Sequence, residues 1–166
     1  MRLAIIGQGY VGLTIAVGAA DGGHTVIGFD VNASLISELN AGKSHIEGIS
    51  NTQLAKFLSA GTYKATTDAA LLDGCDVIVI AVPTPLTEAR EPDLSFVHNA
   101  VELIQNNVNS PALIINESTS YPGTLRNEIA ARITGIIHLY ASSPERVDPG
   151  NTAWGTKNTP RLIGGL

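Results

Sequence analysis

Three glycines near the N-terminus, Gly7, Gly9 and Gly12, have the spacing G-x-G-x-x-G. A short apolar run precedes them at 3–6, and an apolar, helix-like segment follows at 13–20. Gly7 permits a tight strand-to-helix turn, Gly9 has no Cβ to keep a pyrophosphate from the backbone, and Gly12 lets the helix approach the strand. The helix then presents free N–H groups and the positive end of its dipole to the phosphates. The pattern predicts a dinucleotide-binding turn.

A second apolar run follows at 25–29 and ends at Asp30. Asp30 lies 23 residues after Gly7, close to the spacing of the carboxylate that binds the adenosine ribose in dinucleotide sites. The alternative is a structural turn and a solvated carboxylate at the end of a strand. The strand–helix–strand context favours the dinucleotide site. Because Asp30 is negative and neither Val31 nor Asn32 brings a cation, we expect NAD and not NADP.

Further apolar runs predict a parallel sheet. The run at 76–82 is dominated by β-branched residues without polar alternation, as expected of a strand that is buried on both faces. We therefore expect an α/β Rossmann fold, doubly wound, with a mostly parallel sheet of six or more strands and helices on both faces. The predicted strands are 3–6, 25–29, 63–66, 76–82, 112–116 and 138–141, with 161–163 as a candidate last strand.

Apolar spacing and capping residues predict the helices. Asn32 is the expected N-cap of a helix that stops before Gly42, and Thr67 and Asp93 are the expected caps of two later helices. A turn is expected at 148–150. The predicted helices are 13–20, 32–41, 52–60, 68–72, 94–108 and a segment after Gly123 that places Leu125, Ile129 and Ile133 on one face.

Polar clusters follow the first, second, fourth, fifth and sixth of these strands, which places them at one edge of one sheet. Thr119 and Glu145 are the candidate catalytic residues at this edge. Each has a structural alternative, since Thr119 can cap the next helix and Glu145, beside Arg146, can form a surface ion pair or a cap. The functional hypothesis makes Glu145 a general base or a water-positioning carboxylate, and Thr119 a hydroxyl that holds a substrate oxygen.

Cys75 precedes the fourth strand, at the edge away from these clusters, and we interpret it as a packing residue. It is the only cysteine, so no intrachain disulfide can form and a reducing, cytoplasmic location is expected. The four histidines share no metal-ligand spacing, and no metal site is predicted.

The composition fits one globular domain, at 1–166, because 44% of its residues are hydrophobic and only 15% are charged. The net charge of −5 and the lack of a basic run argue against a nucleic-acid partner. No apolar stretch approaches the ~20 residues of a membrane span. Met1 and Arg2 lead directly into the first strand, which leaves no room for a signal peptide.

Several motifs, taken in order, carry a resemblance to a known family. They are GxGYVGL at 7–13, FDVN at 29–32, VPTPL at 82–86, EST at 117–119, SPER at 143–146 and PRLIGG at 160–165. Together they resemble the N-terminal NAD-binding domain of the UDP-glucose/GDP-mannose dehydrogenase family across essentially the whole chain. The run SPERVDPGN at 143–151 is most similar to the branch that acts on UDP-N-acetylhexosamines (GlcNAc or ManNAc), since the UDP-glucose branch usually has an apolar residue where Arg146 stands.

The resemblance implies an activity and a set of roles. The full enzyme would oxidise a sugar C6 alcohol to a carboxylate with two NAD⁺, through an aldehyde and a cysteine thioester. Thr119 would help to position the hydrolytic water, and Glu145 would assist thioester hydrolysis. A UDP-sugar would be the substrate, and the full-length enzyme would be a homodimer. The cofactor-binding residues would be Gly7, Gly9, Tyr10, Val11, Gly12, Asp30, Val82, Thr84, Ser118 and Thr119.

The chain departs from the family in what it lacks. The nucleophilic cysteine, the lysine and the UDP-binding domain of the family would all lie beyond Leu166, and Cys75 does not match the motif of the nucleophile. We therefore expect the chain alone to bind NAD without oxidising a UDP-sugar. Two alternatives stay open: the Rossmann domain of a different hydroxyacid-type dehydrogenase, and a free-standing NAD-binding module.

Overall fold

A seven-stranded sheet forms the centre of the fold, in the order β3-β2-β1-β4-β5-β6-β7. The computed structural model describes residues 1–146 and 158–166, and the turn expected at 148–150 lies outside the described residues. The first six strands pair in parallel and the seventh is antiparallel to the sixth. The strands are β1 Arg2–Ile6, β2 Thr25–Phe29, β3 Tyr63–Thr66, β4 Val77–Ile80, β5 Leu113–Asn116, β6 Leu139–Ser142 and β7 Gly164–Gly165.

Helices cover both faces of the sheet. Alternate residues of β1 belong to two different apolar clusters, with Ile5 in one and Ala4 and Ile6 in the other. The first cluster includes Leu13 and receives the first three helices, and the second includes Val97 and receives the fourth. The predicted doubly wound Rossmann architecture is confirmed. The helices are α1 Tyr10–Asp21, α2 Ala33–Asn40, α3 Asn51–Ser59 and α4 Ser95–Asn107.

A side-chain cap was predicted for both α2 and α4, and the structure has one at α2. The Oδ1 atom of Asn32 accepts hydrogen bonds from the backbone N–H groups of Ser34 and Leu35, at 3.1 and 3.2 Å, so the predicted N-cap is confirmed. Gly42, just beyond α2, has a φ of +75°, which a residue with a side chain rarely adopts. The predicted cap of α4 was wrong by one residue: α4 begins at Ser95, its N-cap is Leu94 and no side chain caps it, although Oδ1 of Asp93 accepts a hydrogen bond from the N–H of Ser95 at 2.9 Å.

Two further predictions, both for helical segments, were wrong. The cap of the short helix after β3 is Asp68 and not Thr67, because this 3₁₀ turn begins one residue later than predicted, at Ala69–Leu72. The segment after Gly123 forms a π-helical turn, Leu125–Ile129, and a 3₁₀ turn, Ala130–Arg132, in place of an α-helix. The predicted apolar face is nevertheless turned inward, since Ile129 and Ile133 are buried. The spacing of apolar side chains indicates which face of a helical segment is buried, but it does not distinguish an α-helix from a π-helical or a 3₁₀ turn.

The last strand is shifted from 161–163 to Gly164–Gly165. The side chain of Arg161 is instead held at the end of β5, where it bonds Glu117. Leu162 and Ile163 are both exposed. The ladder with β6 therefore starts only at the two glycines, where Ser142 pairs with Gly164.

Within 1–146 and 158–166, no helix is long and apolar enough to cross a membrane. In the same residues, no three His, Cys, Asp or Glu side chains group together so that they could hold a metal ion.

Candidate functional site

Two of the three motif glycines are required by backbone packing. Gly7 follows β1 with a φ of +93°, and a Cβ added there would lie 2.5 Å from the carbonyl oxygen of Ala81 at the end of β4. A Cβ on Gly12, in the first turn of α1, would overlap the carbonyl oxygen of Gly7. The first turn of α1 therefore lies directly against the loop that precedes it, and both positions exclude a side chain.

Gly9 differs from the other two because the space in front of it is open. It is the N-cap of α1, with φ −69° and ψ −162°, and a Cβ added there would meet nothing within 4 Å. No side chain of the described residues caps this end of α1. The first N–H groups of α1 thus face an open cradle that a side chain on Gly9 would fill, and this cradle has the shape and polarity for a phosphate.

The carboxylate of Asp30 is fixed beside the glycine turn, directly after β2. Its Oδ2 atom accepts a hydrogen bond of 2.8 Å from the backbone N–H of Gln8, and its Oδ1 atom accepts one of 2.9 Å from that of Asn32. Both oxygens keep lone pairs for a second donor. Asp30 is half-buried, so the carboxylate is oriented in advance while a ligand can still reach it.

A cleft of about 200 Å³ lies on the side of the glycine turn away from Asp30, where β4, β5 and β6 end. It brings together six of the residues that the sequence suggested, from α1 and from the loops that follow these three strands. Thr119 is exposed at this cleft and Glu145 is half-buried. Tyr10 begins α1 next to Gly9 and does not line the cleft. The lining residues are Val11, Ala81, Val82, Pro83, Thr84, Glu117, Ser118, Thr119 and Glu145.

Ser118 builds the wall of the cleft. Its hydroxyl donates to the carbonyl oxygen of Val82 at 2.8 Å and accepts from the N–H of Val82 at 3.0 Å. The side chain is buried, so both bonds are shielded from water. Because the hydroxyl hydrogen bonds Val82, Ser118 shapes the cleft by holding that residue in place.

Glu117 is a charged residue of the cleft that sequence reasoning did not single out. Nη1 of Arg161 donates to both of its carboxylate oxygens, at 2.9 and 2.8 Å, although only 8% of Glu117 is exposed. Burial raises the pKa of the Glu117 carboxyl above its ordinary value, while Arg161 and a hydrogen bond with Ser143 oppose that rise and the charge of Glu145 adds to it. The available signal was its place directly after a buried strand, inside the EST motif.

Cys75 lies far from this cleft along the strand direction. It precedes β4 at the amino edge of the sheet, whereas the cleft is formed where β4 and its neighbours end. Its side chain is buried in the apolar cluster that α4 covers, which confirms that it is a packing residue. Burial raises the pKa of its thiol, so the thiolate is disfavoured.

Comparisons with known proteins agree with this geometry. The family model for the NAD-binding domain of the UDP-glucose/GDP-mannose dehydrogenase family matches residues 1–166. A UDP-N-acetyl-D-mannosamine dehydrogenase from Pyrococcus horikoshii is 36% identical over 100% of this chain and 41% of its own length. A UDP-N-acetyl-D-glucosamine 6-dehydrogenase from Salmonella typhi is 33% identical over 99% of this chain and 40% of its own length.

The similarity extends to solved structures. The structure of a UDP-D-ManNAc dehydrogenase from Pyrococcus horikoshii superposes with a TM-score of 0.91 and 35% identity, over 99% of this chain and 41% of that one. The chain thus spans about two fifths of the length of the relatives it matches.

Proposed function

Since this chain belongs to the UDP-glucose/GDP-mannose dehydrogenase family, as its NAD-binding domain, we propose that it binds NAD along the carboxyl edge of its sheet, from Asp30 to Glu145. One observation carries the proposal. The fixed carboxylate of Asp30, the open cradle at Gly9 and the cleft at Thr119 lie in sequence across β2, β1, β4 and β5, where the direction of winding reverses. This is the place where doubly wound sheets bind dinucleotides.

The two ends of the dinucleotide take different parts of this edge. The carboxylate of Asp30 accepts hydrogen bonds from the adenosine ribose, and the N–H groups behind Gly9 bind the pyrophosphate. Tyr10 flanks the pyrophosphate at the first turn of α1. The nicotinamide half then lies in the cleft, against Val82 and Thr119. The remaining residues that would hold NAD are Gly7, Val11, Gly12, Thr84 and Ser118.

A nucleotide titration tests the proposal. The purified chain should bind NAD⁺ more tightly than NADP⁺, because Asp30 would repel a 2′-phosphate and accepts a charge-assisted hydrogen bond from a 2′-OH. Asp30→Asn should weaken NAD⁺ and reduce the preference. Glu102→Gln, the same loss of charge on the exposed face of α4, is the matched control and should change neither affinity. Equal or tighter binding of NADP⁺ by the parent chain would contradict the assignment of Asp30.

We extend the proposal to a full-length dehydrogenase that oxidises the C6 alcohol of a UDP-N-acetylhexosamine to a carboxylate. Its support is the identity of 36% and 33% to relatives that are named for such sugars. Two NAD⁺ would serve in turn as hydride acceptors, one for the oxidation of the alcohol to the aldehyde and one for that of the aldehyde to the carboxylate level. Thr119, exposed at the cleft, positions the hydrolytic water, and Glu145 takes a proton from that water as the thioester is hydrolysed. The chain alone is inactive in this proposal, because its one cysteine is buried at the opposite edge.

The same proposal includes the setting of the enzyme. Residues 1–166 form one NAD-binding domain of a cytoplasmic homodimer that has no nucleic-acid partner. The support for the location and for the lack of a nucleic-acid partner is compositional, since a single cysteine suits a reducing compartment and a net charge of −5 does not suit a polyanion. The dimer is only what the resemblance to the family implies. Light scattering of the full-length protein tests the dimer.

A further inference from the structure

Gln8 stands between two glycines of the turn, yet its side chain is fully buried. Its Nε2 atom donates to the carbonyl oxygens of Ile5 and Gly7, at 3.0 and 3.1 Å. Its Oε1 atom accepts from the hydroxyl of Tyr63 on β3, at 2.9 Å. Both amide hydrogens and the amide oxygen are therefore bonded, as a buried polar group requires.

The two backbone carbonyls allow only one orientation of this amide. The carbonyl oxygens of Ile5 and Gly7 can only accept hydrogen bonds, so the nitrogen of Gln8 must face them and its oxygen then faces the hydroxyl of Tyr63. Tyr63 is buried, and burial together with the charge of Asp30 raises the pKa of its hydroxyl, which thus stays protonated and can donate to that oxygen. The side chain consequently links the glycine turn to β3 in one fixed geometry.

Gly28 on β2 provides the room for this link. A Cβ at Gly28 would overlap Oε1 of Gln8 and lie 2.8 Å from the hydroxyl oxygen of Tyr63. The pair of side chains thus passes directly over the backbone of β2, two residues before Asp30.

The hydrogen-bond network of Gln8 ends at the carboxylate of Asp30, the group that is proposed to bind the adenosine ribose. The backbone N–H of Gln8 is the group that donates to Oδ2 of Asp30 at 2.8 Å. The side chain of Gln8 sets the orientation of that N–H, because it bonds the carbonyl of Ile5 in β1 and the carbonyl of Gly7, which belongs to the same planar peptide group as the N–H. If the side chain is released, the N–H is free to rotate away and the carboxylate loses one of its two backbone anchors.

We propose that Gln8 and Tyr63 are positioning residues for the adenosine end of the site: they hold the Gln8 N–H against Asp30 and so set the preference for a 2′-OH over a 2′-phosphate. The inference rests on the proposed NAD site and adds two residues to it. Neither residue contacts the cofactor in this proposal, since both side chains lie beneath the turn.

The test measures the ratio of the Kd for NADP⁺ to the Kd for NAD⁺ in the whole chain. Tyr63→Phe removes one oxygen atom and leaves Oε1 of Gln8 buried without a donor. We expect NAD⁺ to bind about tenfold more weakly, NADP⁺ to change less, and the ratio to fall by severalfold. Gln8→Met, which keeps the volume of the side chain and removes its hydrogen bonds, should lower the ratio in the same way. Tyr140→Phe, on β6, is the matched control and should leave the ratio unchanged.

A structural role alone gives a different result. If the two variants only loosen the fold, both nucleotides weaken by the same factor and the ratio stays at the parent value. That outcome, or unchanged binding in Tyr63→Phe, overturns the inference while the NAD site stands. Absence of any NAD⁺ preference in the parent chain instead contradicts the proposed site itself. Thermal unfolding of each variant verifies that folded protein is compared.

Discussion

Arg161 and Glu117 form an ion pair in which one guanidinium nitrogen, Nη1, lies 2.9 and 2.8 Å from the two carboxylate oxygens. The pair joins the segment before β7 to the end of β5, across 44 residues of sequence. Glu117 also lines the candidate nicotinamide cleft, so the ion pair fixes a carboxylate that faces the cleft as well as the last segment of the sheet. Two predictions follow from its burial.

Arg161→Met should lower the free energy of unfolding by about 3 kcal/mol, because it leaves the buried carboxylate of Glu117 without its cation. Chemical denaturation at neutral pH measures the change. Arg126→Met, an exposed arginine on the π-helical turn, is the control and should change stability by less than about 0.5 kcal/mol. Equal stability of the two variants would mean that the ion pair contributes nothing.

The free energy of unfolding should change with pH as Glu117 titrates. Its folded pKa is raised above the ordinary value of 4.5, so the folded state binds this proton more tightly than the unfolded state does. The folded state is therefore favoured by protonation, and this contribution is lost as the pH rises from 4.5 through the folded pKa. The reference is Glu117→Gln, which cannot titrate at this position. The free energy of unfolding of the parent, minus that of the variant, should fall as the pH rises across that window and stay constant above it. If this difference instead rises with pH across the window, the folded pKa of Glu117 is lowered and not raised, and the prediction is wrong.

Local signals in the sequence located most of the fold. The cap at Asn32 and the stop at Gly42 depend on neighbours within a few residues, and both are where the sequence places them. The strand 25–29 is also correct at both ends. The polar clusters could be assigned to one edge because parallel strands with right-handed crossovers must end on the same side of the sheet.

Partnerships between distant residues could not be predicted in this way. Gln8 and Tyr63 are 55 positions apart, and Glu117 and Arg161 are 44 apart. No periodicity connects such positions, and Gln8 stands at a variable position of the glycine motif. The burial of a polar side chain depends on what the tertiary fold brings to it, which a single sequence does not state.

Gly9→Val should abolish NAD⁺ binding and lower stability by no more than about 1 kcal/mol. A Cβ at Gly9 would meet no heavy atom within 4 Å apart from its chain neighbours, so a side chain there extends into the open cradle proposed for the pyrophosphate. Calorimetric titration and thermal unfolding measure the two effects. Gly18→Ala, in the same helix and equally free of contacts, should bind NAD⁺ normally and gain up to about 1 kcal/mol. Near-normal binding by Gly9→Val would place the phosphates elsewhere.

Gly12→Ala should show the opposite pattern to Gly9→Val, with a loss of stability of about 3 kcal/mol. The new methyl group would overlap the carbonyl oxygen of Gly7. Because this is a backbone atom and cannot change rotamer to relieve the clash, α1 must move away from the glycine turn. Denaturant unfolding measures the loss, again with Gly18→Ala as the control. An unchanged midpoint would show that the first turn of α1 is free to move.

The 166-residue chain should bind NAD⁺ and still produce no NADH from a UDP-sugar. Oxidation through a thioester needs a thiolate within reach of the substrate carbonyl. Cys75 is 1% exposed, its thiol pKa is raised by burial, and it lies at the opposite edge of the sheet from Thr119 and Glu145. The part of the relatives that this chain does not span is also absent, so the substrate is not positioned over the cleft. NADH absorbance is followed with NAD⁺ and either UDP-N-acetylglucosamine or UDP-N-acetylmannosamine, in a sample whose NAD⁺ binding has been measured. Steady NADH production that disappears in Cys75→Ser would overturn both the structural role of Cys75 and the proposal that catalysis needs the longer protein.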